Sequence, residues 1–272
     1  MFLMLVCILS VIAGILTGVT GHAAWQAELA ALGCFVGLNL LYVIWWVLVA
    51  AFVDDSKPIE KQSTLCRFGC GSIAAWLCNW ARVHAQVIGT ELLPKEGRFV
   101  YVCNHRSGFD PVVTAARLRP YNLAFISKPS NLKIPYIGKL AYGAGFLPID
   151  RENDRQALKT ILTAADYIRR DLCSIAIYPE GTRSKTGELL PFHAGSFKIA
   201  QKAGVPLVIA AIRGSEQVKE NFPLHRTHVV LEILETLPAE KVKSMTTQEL
   251  AAYSRERIEA ALAPHEQQEA AV

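Results

Sequence analysis

Two short polar stretches, each at the end of an apolar run, combine residue types that perform acid–base and phosphate chemistry. The first is Asn104-His105-Arg106-Ser107-Gly108-Phe109-Asp110-Pro111. A histidine and an aspartate separated by four residues across a turn can fold back so that the carboxylate meets one imidazole nitrogen. That contact fixes the tautomer, leaves the other nitrogen as a base and stabilises the imidazolium formed when it takes a proton. Gly108 eases the turn. The same residues admit a purely structural role, because Asp110 before Pro111 suits a helix N-terminus and His105 suits a satisfied loop position. The second stretch is Tyr178-Pro179-Glu180-Gly181-Thr182-Arg183-Ser184. A glycine-containing turn that carries an arginine and hydroxyls can hold a phosphate through charge-assisted hydrogen bonds. Read alone, it is equally a polar surface turn in which Glu180 pairs with Arg183, an interaction worth little.

Such chemistry needs a frame that brings the two turns together. From Arg98 onward short apolar runs alternate with helical patterns. Residues 99–103, 123–127, 146–149, 173–178, 207–212 and 229–234 read as strands, short and rich in β-branched or aromatic residues. Residues 111–118, 134–142, 154–170, 196–203 and 247–262 read as helices, the last opened by a capping box at Thr246-Thr247-Gln248-Glu249. Strands separated by helices predict an α/β fold, a largely parallel sheet flanked by helices. Ligands of open α/β sheets bind at the carboxyl ends of the strands, which is where both polar stretches begin.

The front of the chain is of another kind. Of the 272 residues 51% are hydrophobic and only 19% charged, against about 25% charged in an ordinary soluble domain. All 28 Lys and Arg lie at or beyond Lys57, whereas only three of the 24 acidic residues, Glu28, Asp54 and Asp55, precede it. The body therefore carries a net +7 behind an apolar head, as expected of a protein held at an anionic surface or handling anionic ligands; a basic solvated surface is the plainer alternative. Leu29–Val53 is free of charge and long enough to span a bilayer core of about 30 Å. Phe2–Val19 is a second uncharged run, and two spans are expected. A signal peptide lacks support because no Lys or Arg precedes the run and a second apolar run follows; a buried hydrophobic hairpin is the other alternative. The basic residues after the second run place the body on the cytoplasmic side. Residues 64–84, with Trp76 and Trp80 one turn apart, read as a helix lying among lipid headgroups or as a plain helix covering the core.

Seven cysteines, an odd number with Cys7 and Cys34 in the apolar head, do not form a disulfide framework and are expected to be reduced. Cys66, Cys70 and Cys78 lack the spacing of a metal site, and no metal is expected.

Taken together, Asn104-His105-x4-Asp110 and Tyr178-Pro179-Glu180-Gly181-Thr182-Arg183-Ser184 resemble the motifs of the glycerolipid acyltransferase family, most closely its 1-acyl-sn-glycerol-3-phosphate acyltransferases. Gly145-Phe146-Leu147-Pro148-Ile149-Asp150-Arg151 looks like the second motif of that family and Val205-Pro206-Leu207-Val208 like the start of its fourth. The likeness covers roughly Gly89 to Glu235. It departs at Ala210, where the family usually has a second proline, and at Tyr178, where Phe is more usual. Lys128 matches a family lysine in the acyl-acceptor or oxyanion region, although a solvated lysine fits equally. The resemblance implies that His105, oriented by Asp110, deprotonates the free hydroxyl of a lysophospholipid for attack on an acyl thioester. It implies that Arg151, Glu180 and Arg183, with Asn104, Lys128, Gly181 and Thr182, form the substrate site. It further implies no cofactor, with acyl-CoA or acyl carrier protein as co-substrate. The expected partners are lysophosphatidate and membrane phospholipids, with no nucleic acid, and the expected location is integral to the cell membrane. The acceptor could also be glycerol-3-phosphate, another lysophospholipid or an ornithine lipid, and a non-catalytic lipid-binding module is the reading from a different class. The implied layout is a membrane segment over 1–56, a linker or interfacial helix over 57–85, an acyltransferase domain over 86–263 and a flexible tail over 264–272.

Overall fold

The computed structural model describes residues 2–21, 23–150, 152–184 and 188–269. It divides into two compact units, Met1–Asp54 and Asp55–Val272. The first unit is a pair of helices, α1 (Phe2–Val19) and α2 (Ala24–Ala51). They pack through small residues: Gly14 lies so close to Ala27 and Ala31 that an added Cβ would sit 3.2 Å from the Ala31 Cβ. Without a hydrophobic driving force between helices in lipid, such close backbone approach is a main source of helix association. Among the described residues α2 is the one helix long and apolar enough to cross a membrane; the apolar stretch of α1, Met4–Val19, is shorter. The 18 residues of α1 rise about 27 Å at about 1.5 Å per residue, just under a hydrocarbon core of about 30 Å. The expectation of two spans is thus met in length by one helix.

The second unit opens with α3 (Thr64–Trp80), capped by the Ser63 hydroxyl, and β1 (Val83–Ile88). There follow β2 (Val100–Cys103), α4 (Asp110–Arg117), β3 (Leu123–Ser127), α5 (Pro129–Leu132), α6 (Ile137–Gly143), β4 (Leu147–Pro148), α7 (Asp154–Arg169) and β5 (Ser174–Ile177). Then come α8 (Lys198–Ala203), β6 (Leu207–Arg213), α9 (Val218–Asn221), β7 (Thr227–Leu237), α10 (Ala239–Ser244) and α11 (Thr247–Glu269). The seven strands form one sheet in the order β1-β7-β6-β2-β5-β3-β4. Every pairing is parallel except β6 with β7.

Alternation along the central strands builds two cores. Val100, Val102, Ile175, Ile177, Leu207, Ile209 and Ala211 face one side, with Ile161, Ala164 and Ile168 of α7, Ile199 of α8 and Leu250 and Ile258 of α11. Tyr101, Cys103, Ala176, Val208, Ala210 and Ile212 face the other, with Cys78 of α3 and Val113 of α4. A sheet sealed on both faces explains why these strands read as continuous apolar runs. Ala210 lies in β6 between β2 and β7, where a proline would remove a ladder donor. The capping box forms as expected: Thr246 N–H donates to Glu249 Oε2 at 2.7 Å and Glu249 N–H to Thr246 Oγ1 at 3.2 Å.

Several elements differ from the sequence reading. Helix α11, expected over 247–262 with a flexible tail over 264–272, runs on to Glu269. Residues 83–88, where the expected linker over 57–85 gives way to the domain over 86–263 and where no strand was expected, pair with β7 as a sheet edge. The strand expected over 146–149 shrinks to Leu147–Pro148 at the opposite edge, since Pro148 has no N–H to extend a ladder. β7 runs to Leu237 and opposes its neighbour β6.

All seven cysteines are free. Burial pushes the Cys173 thiol up to about 12 and the Cys78 thiol up to about 11, so neither offers a thiolate near neutral pH. A thiol reagent at pH 8 is expected to leave both unmodified in the folded protein and to modify both after denaturation, as read by mass spectrometry of the tryptic peptides.

Candidate active site

The two polar stretches leave the carboxyl ends of β2 and β5, which are parallel neighbours in the sheet. Two backbone contacts fasten them: Ser184 N–H donates to the His105 carbonyl at 3.0 Å, and His105 N–H donates to Glu180 Oε1.

The half-buried His105 places Nδ1 2.8 Å from Asp110 Oδ2. The same oxygen accepts the backbone N–H of Arg106 and of Ser107, each at 2.7 Å, while Oδ1 accepts the Ser215 hydroxyl. Asp110 is fully buried, and every contact around it presents a hydrogen. The tautomer assigned from these partners carries its proton on Nδ1 and leaves Nε2, on the far side of the ring, with a lone pair. Asp110 begins α4, whose N-cap is Phe109 without a side-chain capping bond. Its carboxylate turns back to the loop, so of the two readings open in the sequence the fold adopts the one that orients His105.

The floor under the imidazole is the Tyr178 ring, stacked on it with centroids 4.7 Å apart at 29°. The Tyr178 hydroxyl lies 3.2 Å from Thr114 Oγ1, which satisfies the polar atom that Phe would lack. Gly181 closes the second turn at φ +77°, its N–H donating to the Tyr178 carbonyl at 3.0 Å; a side chain there would be strained. Gly108 needs no such freedom, since its backbone is not left-handed. A Cβ at Gly108 would instead meet Arg183 Nη1 at 3.6 Å, which locates the exposed Arg183 guanidinium beside the turn that follows His105.

Two residues expected to touch substrate are committed inside the protein. Asn104 is buried, donating from Nδ2 to the Ile212 carbonyl at 2.9 Å and accepting the Ile212 N–H on Oδ1 at 2.8 Å. It continues the pairing of β2 with β6 one step past the strand end. Glu180 accepts the His105 N–H on one oxygen and the Leu190 N–H, at 3.0 Å, on the other. A buried carboxylate used up by two backbone donors braces the loops; it would also repel a phosphate. Burial pushes the Glu180 carboxyl above its ordinary range, with the two N–H donors pulling the other way.

Thr182 and Arg183 are exposed after β5, and Lys128 is exposed after β3, the next strand along. Arg151 lies outside the described residues; Asp150 just before it follows β4. Among the described residues no group of three or more His, Cys, Asp or Glu could hold a metal ion. Ser215 was not foreseen. The only trace of it in the sequence is a Gly-Ser pair just past an apolar run, for its use depends on β6 lying beside β2. Gly214, at φ +82°, makes the turn, since a Cβ there would come within 2.2 Å of the His228 carbonyl oxygen.

A family model described as Acyltransferase matches residues 84–213. The 1-acyl-sn-glycerol-3-phosphate acyltransferase of Salmonella typhimurium is 32% identical over 167 residues, 61% of this chain and 68% of that protein. The enzyme of the same name from Escherichia coli matches to the same extent, and that of Cocos nucifera is 29% identical over 182 residues, 67% of this chain and 57% of that protein. The crystal structure of the 1-acyl-sn-glycerophosphate (LPA) acyltransferase from Thermotoga maritima shares the fold. Its TM-score is 0.62 at 22% identity, over 82% of this chain and 89% of that one.

Ser215→Ala is expected to lower kcat about 10- to 100-fold, as loss of a residue that orients a ligand or base commonly does, with little change in either KM. The carboxylate, relieved of one donor, bears more strongly on the imidazolium, so the acid limb of the pH–rate profile should move to higher pH. A lowered rate with an unmoved pH profile would make Ser215 merely structural. Glu180→Gln leaves one backbone N–H facing an amide NH2 group and should cost about 1–3 kcal/mol, read as a lower thermal unfolding midpoint in detergent.

Proposed function

The chain belongs to the glycerolipid acyltransferase family, and on that premise we propose that it transfers an acyl chain from a thioester to the free sn-2 hydroxyl of 1-acylglycerol-3-phosphate, forming phosphatidate. The observation that carries this reading is the Asp110 carboxylate, which grips His105 Nδ1 and leaves Nε2 as the basic nitrogen. Nε2 takes the hydroxyl proton as the oxygen attacks the thioester carbonyl. The new O–C bond forms, the C–S bond breaks, and the imidazolium returns its proton to the departing thiolate. Asp110 stabilises the imidazolium between these transfers. No covalent enzyme intermediate, metal or cofactor enters; acyl-CoA or acyl carrier protein is a co-substrate.

Arg183, Thr182, Lys128 and Arg151 follow the ends of the adjacent strands β5, β3 and β4, and we assign them to the glycerol phosphate. The planar guanidinium of arginine suits a phosphate in two-point contact. Asn104, Glu180 and Gly181 shape this site from within rather than touching the lipid. The apolar α2 holds the chain in the membrane, and the basic residues that begin at Lys57 set the body on its cytoplasmic face. A lysolipid acceptor then reaches the site by lateral diffusion among membrane phospholipids.

His105→Ala should lower turnover by about 10²- to 10⁴-fold, the usual worth of a general base, with the fold intact; reconstituted enzyme with labelled lysophosphatidate and acyl thioester reports it. Near wild-type turnover would refute the mechanism. Arg183→Ala should raise the KM for lysophosphatidate more than it lowers kcat. A rise confined to the KM of the acyl thioester would assign Arg183 to the donor instead.

A further inference from the structure

Two exposed tips rise on either side of the site. The first, Lys133-Ile134-Pro135-Tyr136-Ile137, is exposed throughout and follows the carboxyl end of β3; Ile134, Tyr136 and Ile137 are 44%, 49% and 51% accessible. The second, Phe222-Pro223-Leu224-His225-Arg226, links the carboxyl end of β6 to the start of the antiparallel β7, and so lies at the same edge of the sheet. Phe222 and Leu224 are 53% and 74% accessible. Since β2 and β5 run between β6 and β3, the tips flank His105.

Neither tip is an unshaped loop. Tyr136 sits at φ 62°, ψ −48°, with Ile137 N–H on the Pro135 carbonyl at 2.6 Å. Gly138 allows the approach that follows, since a Cβ there would lie 1.9 Å from the Leu132 carbonyl oxygen. In the second tip His225 N–H donates to the Asn221 carbonyl at 2.7 Å, and Asn221 Nδ2 to Thr227 Oγ1 at 3.1 Å. Backbone held in a rare conformation in order to present large apolar side chains to solvent calls for something that covers them. Lys133, Lys219 and Arg226 border the apolar residues, against the exposed carboxylates of Glu220 and of Asp55, the latter paired with Lys139, so the excess beside the tips is basic and the cover is anionic.

Chain continuity indicates which anionic surface it is. α6, which begins at the first tip, is tied to the segment just after α2. Lys139 Nζ lies 3.8 Å from Asp55 Oδ1, the Tyr142 hydroxyl donates to the Lys57 carbonyl, and Ser63 N–H donates to the Gly143 carbonyl at 3.0 Å. Asp55 is four residues past Ala51, the last of α2, a reach of at most about 14 Å. We propose that the two tips insert into the headgroup layer of an anionic phospholipid leaflet and seat the carboxyl edge of the sheet, with His105, against the surface that presents the acceptor. The inference rests on the reading of α2 as a membrane helix.

Spin labels on the full-length protein test it, in a background with Cys7 and Cys34 replaced by Ala, reconstituted in phosphatidylglycerol–phosphatidylethanolamine vesicles. Cysteines are introduced singly at Ile137, Leu224, Leu40 of α2, and Lys202 of α8. Labels at Ile137 and Leu224 should relax more with oxygen than with a water-soluble nickel chelate, and the Lys202 label the reverse. Tip labels as open to the chelate as the Lys202 label overturn the proposal: if the Leu40 label still favours oxygen, docking alone falls, and if it too favours the chelate, the membrane reading of α2 falls with it. The double variant Ile137→Ser, Leu224→Ser should raise the KM for lysophosphatidate in vesicles on the order of tenfold while leaving turnover of a short-chain, water-soluble lysophosphatidate unchanged. An unchanged vesicle KM would also overturn it.

Discussion

A carboxylate buried without enough hydrogen-bond donors is too costly to keep, and at Asp110 that requirement organises the structure around it. Its four donors come from separate places: two backbone N–H groups of the loop after β2, the imidazole of His105, and the Ser215 hydroxyl from beyond β6. Satisfying one side chain therefore fixes the loop, the ring and the register of the neighbouring strand end at once. The outcome is a histidine with one nitrogen spoken for and the other directed outward, which is the form a general base requires.

The same economy extends sideways. Asn104 sews the end of β2 to Ile212 of β6, and Glu180 sews the loop after β5 to His105 and Leu190. The strand ends β5, β2 and β6 are thus tied into one rim, on which Thr182 and Arg183 stand exposed, with Lys128 exposed after the next strand, β3. Fixed groups below and free cations above is the arrangement expected where a neutral hydroxyl must be activated precisely while an anionic headgroup arrives from a fluid surface.

The parallel strands account for why such a rim exists. Each parallel strand returns its chain to the opposite edge through a helix, so successive carboxyl ends collect residues that are distant in the chain. The antiparallel β7 adds the turn at Gly214 and the tip that follows it to that edge. The two apolar tips and the basic residues beside them give the rim a direction, toward a surface rather than toward bulk water.

Much of this was legible from the sequence alone. Apolar runs separated by amphipathic stretches announced the parallel sheet, because a sheet buried on both faces leaves an unmistakable hydrophobic signature; Val100–Cys103 and Ser174–Ile177 were found on that basis. His105 and Asp110 were legible because a turn brings them together locally, and the long uncharged run of α2 needs no tertiary partner to be noticed. What local pattern could not decide is which way a polar side chain faces. Asn104 and Glu180, read as part of the substrate site, are held by backbone partners inside the protein, Ser215 left only a Gly-Ser pair as its trace, and β1 straddles the end of a presumed linker. In each case a deciding partner, Ile212 for Asn104, His105 for Glu180, Asp110 for Ser215 or β7 for β1, lies far away in the chain, and only the strand order of the folded sheet sets it alongside.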